Sequence, residues 1–145
     1  MSRLRDVGDR LFVYGTLQFA PVLDELIGRM PEHDIAVAPG WWVVALPGRF
    51  YPGLVARPER MAGGLVLSGL TDREWREIDA FEDDEYDLRP IEVIGHPEPV
   101  PTYVWTAEIT RNDWLPEVFA ADHLDRYVER CARWRREAVL GERES

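Results

Sequence analysis

The chain has 145 residues, with 27 acidic and 17 basic side chains and a formal net charge of −10. That surplus argues against nucleic acid or an anionic membrane as partner, because both are bound through basic faces. A hydrophobic fraction of 46% with six tryptophans supplies a core without a metal or disulfide, and the lone cysteine, Cys131, has no partner within the chain.

The N-terminal Met1-Ser-Arg-Leu-Arg-Asp6 lacks the apolar stretch of a signal peptide, and no run of about 18 apolar residues occurs. A cytoplasmic protein with no transmembrane helix is expected. Arg10 to Tyr14 reads as a strand closed by Gly15. Pro21 opens a helix through Ile27 with Val22, Leu23, Leu26 and Ile27 on one face, and Gly28 stops it. Ile35 to Leu46 reads as one broken strand region, kinked at Pro39-Gly40. Pro47 to Arg60, with Pro47, Pro52, Pro58, Gly48 and Gly53, reads as a loop. Leu65 to Leu70 is the next strand. Thr71 with Glu74 forms a capping box, flanked by Leu70 and Trp75 at the staple positions, and its helix should end near Phe81–Asp83. Tyr86–Ile94 and Thr102–Ala107 are further strands. Pro116–Phe119 reads as a connector. Asp122–Arg136 is an amphipathic helix carrying Leu124, Tyr127, Val128, Cys131 and Trp134, and Gly141–Ser145 should fray. The strands do not alternate regularly with helices, which disfavours a parallel doubly wound sheet. The expected class is α+β: a small mixed, barrel-like sheet of about five strands with surrounding helices. Residues 1–145 form one domain, with 114–138 as a C-terminal helical extension.

Glu82 is the carboxylate that stands out. At about 100° per residue it lies about 20° from Trp75 around the helix axis, with Ile78 on the same side. It therefore continues an apolar stripe. Apolar surroundings disfavour the charged form, so its pKa should rise toward the range of a general acid or base. Solvation at the helix end is the simpler alternative, and the neighbouring Asp83, Asp84, Glu85 and Asp87 read as a solvated acidic turn. Val13-Tyr14-Gly15-Thr16-Leu17 could present backbone N–H groups and a hydroxyl to an anion, or be an ordinary strand-to-helix turn. Tyr51-Pro52-Gly53 could wall a pocket or be a plain turn. His33, His96 and His123 show no ligand spacing, so no metal site is expected. Ser68 lacks a nucleophile-elbow setting.

Taken in order, these segments resemble the γ-glutamylcyclotransferase-like family, in its AIG2-like branch. Val13-Tyr14-Gly15-Thr16-Leu17, then Tyr51-Pro52-Gly53-Leu54, then Ile78-Asp79-Ala80-Phe81-Glu82 leading to Tyr86 and Ile91-Glu92-Val93 match its motifs. The resemblance covers about residues 10 to 107, and the Trp114-to-Trp134 region is similar to the longer members. It implies a cofactor-free enzyme that cyclises a γ-glutamyl-amine or γ-glutamyl-amino acid to 5-oxoproline. Glu82 would be the general acid/base. Tyr14, Gly15, Thr16, Leu17, Tyr51, Pro52, Gly53 and Tyr86 would bind substrate. Asp83 stands where the family usually has Gly, and Leu88 replaces a common arginine. These departures leave open a non-catalytic module that binds a small carboxylate-bearing metabolite or a partner protein, or hydrolysis in place of cyclisation.

Overall fold

A computed structural model describes residues 3–144, with side chains described through Ala138. The first strand, β1 (Leu11–Val13), shows why both faces of its run are apolar. Leu11 and Val13 join one buried cluster, while Phe12 and Tyr14 join a second on the opposite side. Alternate side chains of a strand point to opposite faces, so a strand buried on both sides needs a continuous apolar run. After a 3-10 turn at Thr16–Gln18, helix α1 (Ala20–Ile27) begins with Pro21 in its first turn. Gly28, at φ 80°, ends it in the left-handed conformation, as its position in the sequence suggested.

Strands β2 (Glu32–Ala45) and β3 (Pro52–Ser68) form a long antiparallel hairpin, and β1 pairs with the far end of β3. The loop expected over residues 47–60 is therefore much shorter, because strand begins at Pro52. Its prolines fit the ladder locally. Pro52 is the first residue of β3, and Pro58 falls within residues 57–60, which stand opposite Gly40 where the register shifts. The kink expected at Pro39-Gly40 is this irregularity, with Gly40 at φ 84°.

Helix α2 (Asp72–Phe81) carries the capping box in full. Thr71 Oγ1 accepts from the Glu74 N–H at 3.2 Å, and Glu74 Oε1 accepts from the Thr71 N–H at 3.0 Å. Glu74 also receives Arg29 Nε at 2.6 Å, and the hydrogen bonds from Arg29 hold its carboxyl down at about 2. Strands β4 (Tyr86–Ile91) and β5 (Val100–Trp105) form a separate antiparallel pair. The class is α+β. The expected mixed sheet is replaced, among the described residues, by antiparallel pairs in two sheets. Among the described residues no ladder closes the two sheets into a barrel, and side chains join them instead. Thr102 Oγ1 donates to Phe12 O at 2.9 Å, and the Tyr14 hydroxyl donates to Tyr103 O.

Residues 116–119, expected as a connector, open helix α3 (Pro116–Asp122), because Pro116 stands where a helix lacks an acceptor for its first N–H. Helix α4 (Leu124–Glu144) then runs past both the expected end at Arg136 and the expected frayed tail to Glu144, and Ser145 lies outside the described residues. Tyr127 and Cys131 of α4 are buried in the same cluster as Leu23 of α1 and Trp75 of α2. Among the described residues no helix is long and apolar enough to cross a membrane.

Candidate active site

The turn after β1, the start of β3, the end of α2 and one face of α4 enclose a cavity of about 250 Å³. Tyr14, Gly15, Thr16, Leu17, Tyr51, Pro52, Glu82 and Tyr86 all line it. Gly53 does not. A Cβ there would lie 2.7 Å from Trp105 Cβ and 3.0 Å from Leu46 Cδ2, so it packs against β5 behind the cavity wall. Its absence of a side chain matters for packing and not for contact with a ligand. The first two motifs meet at Gly15, where a Cβ would be 2.6 Å from Pro52 Cγ. That close approach is the reason for glycine at this turn.

Glu82 is the residue that ends α2. Its N–H still bonds Ile78 O at 3.1 Å, but its own backbone is extended, at φ −70° and ψ 136°. The stripe continues as the sequence indicated, and it ends in the cavity. The residue keeps intermediate exposure because it lines that cavity, while the protein mass around the carboxyl governs its ionisation. Burial pushes its pKa up to about 8. The Arg3 charge opposes the rise, and Asp79 and Asp83 add to it. Among the described residues no hydrogen bond is formed to its carboxylate.

Arg3 fixes the segment around Glu82. Its guanidinium donates to the carbonyls of Asp79 (2.7 Å), Glu82 (3.1 Å), Asp83 (2.8 Å) and Tyr86 (2.9 Å). Its Nε pairs with Asp79 Oδ1 at 2.9 Å. A cation bonded to the last carbonyls of a helix satisfies orphan acceptors and the negative end of the dipole together. Asp83, beside Glu82 on the cavity wall, is held by two hydrogen bonds. Oδ2 accepts the Tyr51 hydroxyl at 2.9 Å and Oδ1 accepts the Glu85 N–H at 2.9 Å. The charge beside Glu82 is thus already hydrogen-bonded.

Four phenols surround the carboxylate. Burial raises the pKa of Tyr14, Tyr86, Tyr103 and Tyr127, and the charge of Glu82 raises each further. They stay neutral at physiological pH. Thr16 Oγ1 donates to the Tyr127 hydroxyl at 3.3 Å, and Tyr86 donates to Pro52 O. The arrangement can accept one proton at Glu82 inside an aromatic shell. The opening amides of the 3-10 turn lack acceptors within it, and the turn lines the same cavity as Glu82. Among the described residues no group of three or more His, Cys, Asp or Glu side chains could hold a metal.

Sequence reading missed Tyr103, Tyr127, Arg130 and Trp134 on the cavity wall, and Arg3 behind it. The α4 aromatics carried only a core signal. Arg130, three residues from Tyr127 and four from Trp134, broke that apolar stripe and was the available clue.

The model of the family described as γ-glutamyl cyclotransferase, AIG2-like, matches residues 11–136. This chain belongs to that family. AIG2-like protein C of Arabidopsis thaliana is 41% identical over 99 residues, which is 66% of this chain and 58% of that protein. The chain thus aligns with less than two thirds of that relative's length. AIG2-like protein B from the same plant is 31% identical over 129 residues, covering 82% of this chain and 73% of that one. A solution structure of an Arabidopsis thaliana protein superposes with a TM-score of 0.65 at 28% identity, covering 89% of this chain and 91% of that chain. A solved γ-glutamyl cyclotransferase shares the fold, with a TM-score of 0.57 at 10% identity over 70% of this chain and 68% of that one. The family match takes in α3 and most of α4, so the helical wall of the cavity lies within the family's own span.

Proposed function

We propose that this family member cyclises a γ-glutamyl compound to 5-oxoproline and releases the attached amine, with Glu82 as the single acid/base group. The observation that carries this reading is the Glu82 carboxyl, raised to about 8, in a cavity it shares with the Gly15–Leu17 turn. The α-carboxylate of the substrate would sit on the amides of that turn. Its α-ammonium would face Glu82. The free α-carboxylate on the same carbon holds the substrate's α-ammonium above the roughly 7.7–8.0 of a peptide α-amino group, and a carboxyl raised to about 8 takes that proton far more readily than an ordinary glutamate at 4.5 would.

The freed amine attacks the γ-carbonyl carbon of the same molecule, forming the ring C–N bond. The bond to the departing nitrogen breaks, and the proton held by Glu82 passes to that nitrogen. Substrate yields 5-oxoproline plus amine, with no water consumed. Ring closure is intramolecular, so the cavity contributes chiefly by holding the chain folded with its ends apposed. The neutral Tyr14, Tyr86, Tyr103 and Tyr127 shell keeps the site poor in water, so that Glu82 retains its proton affinity.

Purified protein is incubated with a panel of γ-glutamyl-amines and γ-glutamyl-amino acids, and 5-oxoproline is measured. Release from at least one, lost in Glu82→Gln, is expected. Full activity in Glu82→Gln would reject the mechanism. Free glutamate in place of 5-oxoproline would indicate hydrolysis, and thermal stabilisation without turnover would indicate a binding module.

A further inference from the structure

Arg130 is the cation on the cavity wall, and it is uncommitted. Its guanidinium lies 5.9 Å from the centre of the Tyr51 ring and 5.8 Å from that of Tyr127. Among the described residues it enters no ion pair, although acidic side chains outnumber basic ones 27 to 17. The nearby arginines are occupied. Arg3 is bonded to Asp79 and backbone carbonyls, and Arg49 donates to the Tyr51 hydroxyl at 3.0 Å and pairs with Glu85 at 3.0 Å. Two rings flank Arg130 without neutralising it, which orients the fork and leaves its donors for an external anion.

Its place indicates which anion. Tyr14, Tyr86 and Tyr103 are buried beside Glu82, whereas Arg130 is exposed. A γ-glutamyl group reacting at Glu82 fills the buried side. The departing amine must then extend toward the open side, where Arg130 stands. In a chain of net charge −10, an anionic leaving group needs such a local donor.

We propose that Arg130 selects γ-glutamyl compounds whose departing amine carries a carboxylate, that is γ-glutamyl-α-amino acids and peptides, over γ-glutamyl-amines. This rests on the cyclotransferase reading above. Arg130 is here a specificity residue that contacts the leaving group.

The test compares γ-glutamyl-alanine with γ-glutamyl-ethylamine, which differ only in that carboxylate. The wild-type kcat/KM should favour γ-glutamyl-alanine by about tenfold, the worth of one charge-assisted hydrogen bond at a partly exposed position. Arg130→Gln should bring the ratio close to one, mainly through KM, and Arg130→Lys should fall between. Raised salt should weaken the wild-type preference. A ratio unchanged in Arg130→Gln overturns the inference, including the case where both substrates lose equally. Such a loss would assign the arginine to the glutamyl carboxylate they share. A wild-type enzyme that turns over both without preference overturns this inference alone. No 5-oxoproline from either overturns the cyclotransferase reading as well.

Discussion

The Tyr51 hydroxyl donates to Asp83 Oδ2 at 2.9 Å, fastening the residue before Pro52 to the residue after Glu82. Two motifs far apart in sequence therefore share one hydrogen bond at the cavity wall. Arg49 Nε, 3.0 Å from the same hydroxyl, extends the link. Tyr51→Phe should cost about 1 kcal/mol of stability, measured by urea denaturation, and raise KM more than it lowers kcat. Asp83→Asn removes a negative charge that helps hold the Glu82 proton. The acid limb of its kcat/KM profile should move to lower pH.

Arg3 has the opposite effect on the same group. Its charge lowers the Glu82 pKa, so Arg3→Gln should move that acid limb to higher pH. It also strips partners from four carbonyls between the last turn of α2 and the first residue of β4. A loss of about 1–3 kcal/mol is expected by thermal or chemical denaturation. Opposite displacements in Asp83→Asn and Arg3→Gln would identify Glu82 as the titrating group. Displacements in the same direction would exclude it.

Glu82 should also leave a signature in stability. Its folded pKa, about 8, lies above the ordinary value of 4.5. The folded state therefore holds its proton where the unfolded chain has released it. Wild-type stability from this group is full below about pH 4.5 and is lost as pH rises through about 8. Glu82→Gln should match wild type at pH 4 and exceed it at pH 8 by about 2 kcal/mol, allowing for water in the cavity, while activity disappears. Thermal melts across that range, without ligand, provide the check.

Gly15 and Gly53 separate site from scaffold. At Gly15 a methyl group would press on Pro52 Cγ at 2.6 Å, displacing a cavity wall. Gly15→Ala should lower kcat/KM at least tenfold, beyond what its loss of stability explains. At Gly53 the methyl would press on Trp105 Cβ at 2.7 Å, behind the wall. Gly53→Ala should cost about 1–3 kcal/mol, with the kcat/KM of the folded fraction less affected. Melting temperatures and kinetics on the same preparations distinguish the two.

Local rules written in single segments survived folding. The Thr71–Glu74 capping box, the Gly28 stop and the apolar stripe from Trp75 to Glu82 depend on neighbours within a turn or two, so the sequence determined them alone. The turn after β1 and the carboxylate ending α2 were legible for the same reason. Tertiary structure decided the rest. Residues 52–60 became strand because β2 offered a ladder whose irregularity at Gly40 accommodates Pro58, which no local pattern reveals. The four carbonyls from the last turn of α2 to the start of β4 found Arg3, about eighty residues away in sequence. Tyr127, Arg130 and Trp134 became cavity wall because α4 packs across α1 and beside α2, turning one face of its stripe toward the site. Burial from those distant segments, more than any neighbour in sequence, gives the Glu82 carboxyl its raised pKa.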